Sequence, residues 1–367
     1  MVDAAGKVVV GFDASDESEV AVRWAAAVAS RRGVPLVVVH AHRVESSRGR
    51  RRREDAQRAG GRGEDGRDED GRDEVGRDEQ QADLAAQGAQ TVLRQGEQIA
   101  REVVPDLQVE TAAIGRGAPA ALVELSEEAE LVVIGNRGRG RLRGALLGSV
   151  AFEVATHATC PVCVVRGALR PLPSMERPIV VGVDGSEGSH QALDEAARLT
   201  RETGSFLRIV VCWTPAHENP WHLSSEEEAR LLAEQGNAPD SVAATTPGSA
   251  TGTGDSESGG PGRSTNPWTV SRQELTELDE RFDRDEEEAA REIMAEAVQR
   301  VGSRYPELRV EQVVRSGRAE EVIAGAATDA SLIAVGARGR GDFASLLLGS
   351  VSRDVIHSAG CAVYVIR

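Results

Sequence analysis

Aromatic residues are scarce in this chain. They make up 3% of its 367 residues, so a core must be assembled from Val, Leu, Ile and Ala within a hydrophobic fraction of 40%. Cysteine is rarer still. The four, at 160, 163, 212 and 361, are too few and too unevenly spaced for a disulfide framework. No apolar run approaches the ~20 residues that cross a bilayer. Met1 to Asp13 has no basic head followed by an apolar stretch and a cleavage site, which is how a signal peptide reads. These absences predict a soluble, cytoplasmic protein with no membrane partner. Basic charge is also in deficit: 43 Lys and Arg against 59 Asp and Glu give a formal net charge of −16. A nucleic-acid backbone would be repelled, so no nucleic-acid partner is expected. A small phosphate ligand feels only a local loop and is not excluded. The seven histidines form no spaced metal set.

What is present is a repeat. Gly135-Asn136-Arg137-Gly138 runs on to Gly148-Ser149, and Gly336-Ala337-Arg338-Gly339 runs on to Gly349-Ser350. Both copies read Gly, two residues, Gly, nine residues, Gly-Ser. Each follows an apolar run (Leu131 to Ile134, Leu332 to Val335) and precedes a helical pattern. A glycine-rich turn between strand and helix is where backbone N–H groups converge on a phosphate.

The rest of the chain is organised around that pair. Lys7 to Phe12 is a continuous apolar strand ending at Asp13, which suggests burial on both faces of a parallel sheet. Ser15 caps a helix with Val20, Trp24 and Val28 on one face, and Leu36 to Ala41 is the second strand. Residues 43–80 then form an insertion, with an Arg run at 50–53 and a repeated Gly-Arg-Asp-Glu unit. No apolar period survives there, which predicts a flexible charged loop. A nucleic-acid patch at Arg50 to Arg53 is the alternative, screened by the adjoining acids. Helix and strand alternate onward to Val165, giving a βαβαβαβαβ order that calls for right-handed parallel crossovers. Residues 167–177 carry Pro171 and Pro173 and read as a linker. From 178 the pattern repeats, Val183-Asp184-Gly185-Ser186 matching Phe12-Asp13-Ala14-Ser15, with a Gly, Ser and Pro-rich insertion at 214–270. That insertion holds one candidate short helix from Ser225 to Gly236, and a long capped helix is expected from Ser271. Two domains result, 1–166 and 178–367.

These residues resemble a family. Val9-Val10-Gly11-Phe12-Asp13-Ala14-Ser15 and Ile179 to Ser186 look like the opening of a universal stress protein domain. The Gly-x2-Gly-x9-Gly-Ser pattern is similar to the phosphate-binding signature of that family's ATP-binding members, and His157 to Arg166 is similar to its closing helix and strand. The resemblance covers both halves apart from the insertions and linker. It implies two tandem, doubly wound, five-stranded parallel sheets of strand order 3-2-1-4-5, of the adenine nucleotide alpha-hydrolase-like type. It places the ligand where strand order reverses, between strands one and four.

The implied cofactor is ATP, with magnesium as an accompanying metal. The implied contacts in the first half are Asp13, Ser15, Ala41, Gly135, Gly138, Gly148, Ser149, Val150 and Ala151. In the second they are Asp184, Ser186, Cys212, Gly336, Gly339, Gly349, Ser350, Val351 and Ser352. Ala41 and Cys212 stand where the family's second-strand backbone meets adenine. Glycine lets a backbone approach phosphates, and the helix that follows adds partial positive charge. Asp13 and Asp184 either hold the nucleoside or its metal, or cap the following turn. Arg137, Arg139, Arg141 and Arg143 line the first loop; Arg338 and Arg340 line the second, opposed by Asp342. Each arginine is an anion partner or a solvated loop residue. Ser352 stands where the first copy has Ala151, so the second site is expected to be the fuller.

Cys160-x2-Cys163 enters a strand from a helix, the reverse of a thioredoxin-type pair, and is expected to be structural. Gly-x4-Gly-Lys-Ser/Thr is missing, so this is no P-loop NTPase. No motif positions a base or nucleophile. The expected function is regulatory adenine-nucleotide binding during stress. The alternatives are a slow metal-dependent ATP hydrolase using Asp13 or Asp184, and a ligand-free protein-interaction module. The two domains are expected to pair with each other or to form a homodimer.

Overall fold

The computed structural model describes residues 2–42, 71–138, 147–166, 176–218, 272–340 and 347–367, with backbone alone for 71–84, 272, 274 and 275. The first half runs β1 (Val8–Gly11), α1 (Asp16–Arg32), β2 (Leu36–Ala41), α2 (Gly71–Val103), β3 (Val109–Ile114), α3 (Ala118–Leu125), β4 (Leu131–Gly135), α4 (Ser149–His157) and β5 (Val162–Val165). The second half repeats it: β6 (Ile179–Gly182), α5 (Glu187–Thr203), β7 (Leu207–Trp213), α6 (Arg272–Arg304), β8 (Val310–Ser316), α7 (Ala319–Ala326), β9 (Leu332–Gly336), α8 (Ser350–Ser358) and β10 (Ala362–Ile366). A short 3-10 turn at Ala216–Glu218 follows β7.

Each half has the strand order 3-2-1-4-5, and the halves join edge to edge in one ten-stranded sheet, β3-β2-β1-β4-β5-β10-β9-β6-β7-β8. Within each half neighbouring strands run parallel. At the seam β5 and β10 run antiparallel, with Cys163 opposite Tyr364. The central strands are buried on both faces, as their unbroken Val and Ile runs predict: Val8, Val9 and Val10 are fully buried, as are Ile179, Val180 and Val181, while the edge strands β3 and β8 are partly exposed. Helices α1, α2, α5 and α6 cover one face through residues such as Trp24, Leu93, Leu193 and Met294. Helices α3, α4, α7 and α8 cover the other through Leu122, Val154, Ile323 and Val355. Both layers run unbroken across the seam.

The seam is also bound by charge. Arg32, with a side chain 2% exposed, reaches Glu130 of its own half at 2.9 Å and Glu195 and Glu202 of the other at 2.7 and 3.6 Å. Arg198 joins the same three acids. The Tyr364 hydroxyl donates to Glu195 at 2.8 Å. Burial opposes charge on Arg32, but Tyr364, Glu195 and Glu130 outweigh it and hold its pKa above the ordinary arginine value.

One expectation needs adjustment. Helix α2 begins at Gly71, inside the stretch read as charged loop. Its Arg, Glu and Gln content favours helix even without an apolar period, and this backbone continues the amphipathic helix beyond it. The Arg run at 50–53, linker residues 167–175, the insertion at 219–270 and Ser271 lie outside the described residues. Among those described, no helix is long and apolar enough to cross a membrane.

Candidate functional site

Each half carries a cavity at the carboxyl ends of its first and fourth strands, where strand order reverses. The first, of about 430 Å³, has an apolar wall of Phe12, Val39, Leu122 and Ile134, a rim of Asn136 to Gly138, and a far side of Leu147 to Ala151. The second, of about 540 Å³, is walled by Val183, Val210, Ile293, Ile323 and Val335, rimmed by Arg338 to Arg340, and closed by Gly349 to Ser352. Both volumes lie within the range of small-molecule sites.

The far side of each cavity is a helix N-terminus. In α4 the first helical bond runs from the Phe152 N–H to the Gly148 carbonyl, and in α8 from the Arg353 N–H to the Gly349 carbonyl. The N–H groups of Ser149, Val150 and Ala151, and of Ser350, Val351 and Ser352, therefore precede the helical ladder. The cap residue is glycine in both, with no side chain to occupy that end. The Gly148 N–H donates to the Asn136 carbonyl at 2.8 Å and the Gly349 N–H to Ala337 at 2.7 Å, fixing each helix end against its loop. Arg137 and Arg338 are exposed on that loop. The result is an apolar cleft leading to an electropositive end.

The aspartates act locally. Asp13 Oδ1 accepts from the Ser15 N–H at 3.1 Å and the Ser15 hydroxyl at 2.5 Å; Asp184 Oδ1 accepts from Ser186 at 3.0 and 2.6 Å. The turn-capping alternative is thus present in both halves. The other oxygen faces the glycine loop, and Asp184 Oδ2 accepts the Arg340 N–H at 3.0 Å. Burial pushes the Asp184 carboxyl up, but hydrogen bonds from Ser186, Ser189 and Arg340 outweigh it and hold it below the ordinary carboxylate range.

The same contacts explain the glycines. A Cβ on Gly138 would stand 2.5 Å from Asp13 Oδ2, and one on Gly339 2.4 Å from Asp184 Oδ2. A Cβ on Gly135 would meet the Glu17 backbone at 2.9 Å, and one on Gly336 the Gly188 carbonyl oxygen at 2.6 Å. Gly135 and Gly336 thus face backbone and are required by the protein's own packing, whereas Gly138 and Gly339 face the tip of an aspartate whose other oxygen is held by a serine.

Of the sequence-predicted residues, Asp13, Ala41, Gly135, Gly138, Gly148, Ser149, Val150 and Ala151 come together around the first cavity. Asp184, Cys212, Gly336, Gly339, Gly349, Ser350, Val351 and Ser352 come together around the second. Ser15 and Ser186 do not line them; they cap α1 and α5 and fix the aspartates. Ser352 points inward, its hydroxyl donating to the Gly336 carbonyl at 2.6 Å, so that proton is not turned toward the cavity. The expected advantage of the second site over Ala151 is not seen in this arrangement. Arg139, Arg141, Arg143 and Asp342 lie outside the described residues.

Sequence reasoning missed the apolar walls, because Phe12, Ile134 and Ile323 read as ordinary core. Asp13 and Asp184 are the only carboxylates among the described residues lining the cavities. No group of three His, Cys, Asp or Glu suited to a metal occurs among the described residues. Cys160 and Cys163 are buried, and burial pushes the Cys160 thiol up to about 11. Burial also pushes Cys212, beside the second cavity, up to about 12, with Glu320 adding to it. Neither supplies a thiolate at neutral pH.

Comparison with known proteins accords with this geometry. A universal stress protein of Mycobacterium tuberculosis is 28% identical across 98% of this chain and 96% of its own. One of Mycolicibacterium smegmatis is 27% identical over the same shares. The crystal structure of a universal stress protein from Archaeoglobus fulgidus superposes with a TM-score of 0.51 at 16% identity, covering 99% of this chain and 97% of that one. A functionally unknown protein from Pseudomonas aeruginosa gives 0.53 at 16% identity, covering 99% and 92%. At this identity the two structures speak for the fold alone. The universal stress protein family profile matches residues 5–166 and again 175–367, and the chain belongs to that family, in tandem form.

Proposed function

We propose that each half binds one adenine nucleotide, ATP, as a regulatory module of a stress-response protein. The observation that carries this reading is the same in both halves. An apolar cleft at the switch point ends on an uncapped helix N-terminus beside an arginine-bearing glycine loop. A flat base fits the apolar part, beside the backbone of Ala41 or Cys212. The phosphates lie toward the N–H groups of Ser149 to Ala151, or Ser350 to Ser352, with Arg137 or Arg338 at the rim. The resemblance of the glycine pattern to that of ATP-binding relatives supports ATP among adenine nucleotides.

Magnesium fits less closely. Asp13 and Asp184 each commit one oxygen to a serine turn, and Asp184 commits the other to the Arg340 N–H. A magnesium ion would be held chiefly through the nucleotide's phosphates, as this metal commonly is, and would neutralise part of their charge. No histidine lines either cavity among the described residues, which leaves Asp13 and Asp184, each already accepting from a serine, as the candidate proton acceptors there. The module is one that holds a nucleotide.

Equilibrium dialysis of the full chain against labelled ATP tests this. The expected result is uptake at both cavities, each weakened by its own Ser149→Asp or Ser350→Asp change, which sets a carboxylate at the phosphate end. Folded protein that takes up no ATP overturns the proposal in favour of a ligand-free interaction module. Steady ADP production above background, abolished by Asp184→Ala with binding retained, establishes the hydrolase instead.

A further inference from the structure

The antiparallel seam sends the tail of each last strand into the opposite half, and both tails are arginine. Arg166 follows β5 and is 9% exposed. Its Nη1 donates to the carbonyls of His357 at 3.0 Å and Ala359 at 3.2 Å, and its Nη2 to that of Ile356. These carbonyls form the C-terminal end of α8. Arg367 follows β10, and its Nη2 donates to the Ala155 carbonyl in the last turn of α4. Ala155 and Ile356 are matching positions of the repeat, as are Arg166 and Arg367. Each guanidinium therefore caps the helix whose other end faces the opposite half's cavity.

We infer that Arg166 positions the phosphate-facing helix of the second cavity and Arg367 that of the first, so that each cavity depends on an arginine from the other half of the chain. The inference rests on the nucleotide reading above. The last carbonyls of a helix lack partners within it, and a cation there opposes the negative end of its dipole. Helices α4 and α8 have nine residues each, so about 13 Å separates the arginine from the N–H groups at the far end. Over so short a rod, tilt or fraying at one end displaces the other. Each helix is thus held at two points, by the glycine loop of its own half and by the arginine of the other.

The backbone ties both points together. The residue before each arginine accepts from its own half's loop: the Val165 carbonyl from the Asn136 N–H at 2.9 Å, and the Ile366 carbonyl from the Ala337 N–H at 2.6 Å. Each arginine thus leaves a strand end fixed to one cavity and terminates on the helix of the other. Burial, and then the charge of Arg137, hold the Arg166 guanidinium below the ordinary arginine range; burial and Arg338 do the same to Arg367. That proximity makes a rival account specific. If the arginines acted through simple charge, each would serve the cavity of its own half.

The test is an ATP titration by calorimetry on the full chain in two backgrounds. Ser149→Asp leaves the second cavity to be read, and Ser350→Asp leaves the first. In the Ser149→Asp background, Arg166→Gln is expected to weaken ATP at the second cavity about five- to tenfold, with Arg166→Lys recovering part of the loss. In the Ser350→Asp background the same change is expected to leave the first cavity within about twofold. Arg367→Gln should give the mirror pattern, more weakly, since Arg367 shows one carbonyl bond to the three of Arg166. It also serves as the second arm should Arg166→Gln fail to fold. A loss confined to the arginine's own half, or folded protein with no loss at the opposite cavity, overturns the inference while leaving the nucleotide reading standing. No ATP uptake in either background overturns both.

Discussion

The two halves share a topology and a glycine pattern, but they meet the same mechanical demands with different residues. At the end of the first strand, the first half places Phe12 and makes room with Gly96, whose Cβ would stand 2.9 Å from that ring. The second half uses Val183 and, at the matching helix position, Ala297, both buried in the same layer. Where α1 meets the fourth-strand turn, the first half tolerates Glu17. The second brings the backbones closer and needs glycine at both Gly188 and Gly336. At the turn before the helix, Gly185 takes a φ of 80°, while Ala14 sits at 60°, in the left-handed region that favours glycine. The lesson is that the cavity's outline is the repeated quantity, and residue identity follows local sterics. The second cavity is the larger, but the residue that distinguished it by sequence, Ser352, is committed to its own backbone.

The largest asymmetry lies at the seam, where Arg32 bridges the halves while the hydroxyl of its repeat counterpart Thr203 returns to the Leu199 and Thr200 carbonyls of its own helix. Arg32→Ala would leave Glu195 and Glu202 buried with one fewer cation, and is expected to cost about 3–5 kcal/mol in urea unfolding. Thr203→Ala is expected to cost about 1 kcal/mol or less. Equal losses would erase the distinction.

The close approach of helix and turn comes next. Gly336→Ala, with its new Cβ against the Gly188 oxygen, is expected to destabilise by about 2–3 kcal/mol, and Gly135→Ala by about 1–2 kcal/mol. Thermal melts that reverse this order would contradict the tighter packing of the second half.

Acid provides a third comparison. The folded Asp184 carboxyl lies below its unfolded value, near 3.9, so its stabilisation is present above that value and lost as pH falls through the folded one. Asp184→Asn is expected to cost about 1–2 kcal/mol at pH 7, and the difference from the parent should vanish in strong acid. Unfolding curves of the two proteins across that range decide it.

Smaller effects separate the turns and the serine. Ala14→Gly is expected to stabilise the first half by about 0.5 kcal/mol, while Gly185→Ala costs about 1 kcal/mol. Ser352→Ala, read in the Ser149→Asp background, is expected to leave ATP affinity at the second cavity within about twofold. A larger loss would restore the hydroxyl to the site.

Much of this was legible in the sequence. Unbroken valine runs gave the doubly buried strands, and the spacing from Gly135 to Ser149 and from Gly336 to Ser350 gave the switch-point loops. Ser15 was legible as a cap and Ser186 as its match in the repeat, though neither as a residue that stands behind an aspartate. What could not be read depends on contacts distant in sequence. Nothing near Gly138 announces that Asp13 presses against it. Nothing near Arg166 indicates that it ends on α8, because the antiparallel seam that carries it there is a tertiary choice. Helix α2 starting at Gly71 was hidden because its first turns carry helix-forming residues without an apolar period.

The central claim is that the chain holds two adenine-nucleotide sites of matching build. A native mass spectrum of the full chain with ATP tests it most directly. The account predicts a species carrying two nucleotides per chain, falling to one with either Ser149→Asp or Ser350→Asp. Folded protein that carries none, or two that neither change removes, would contradict it.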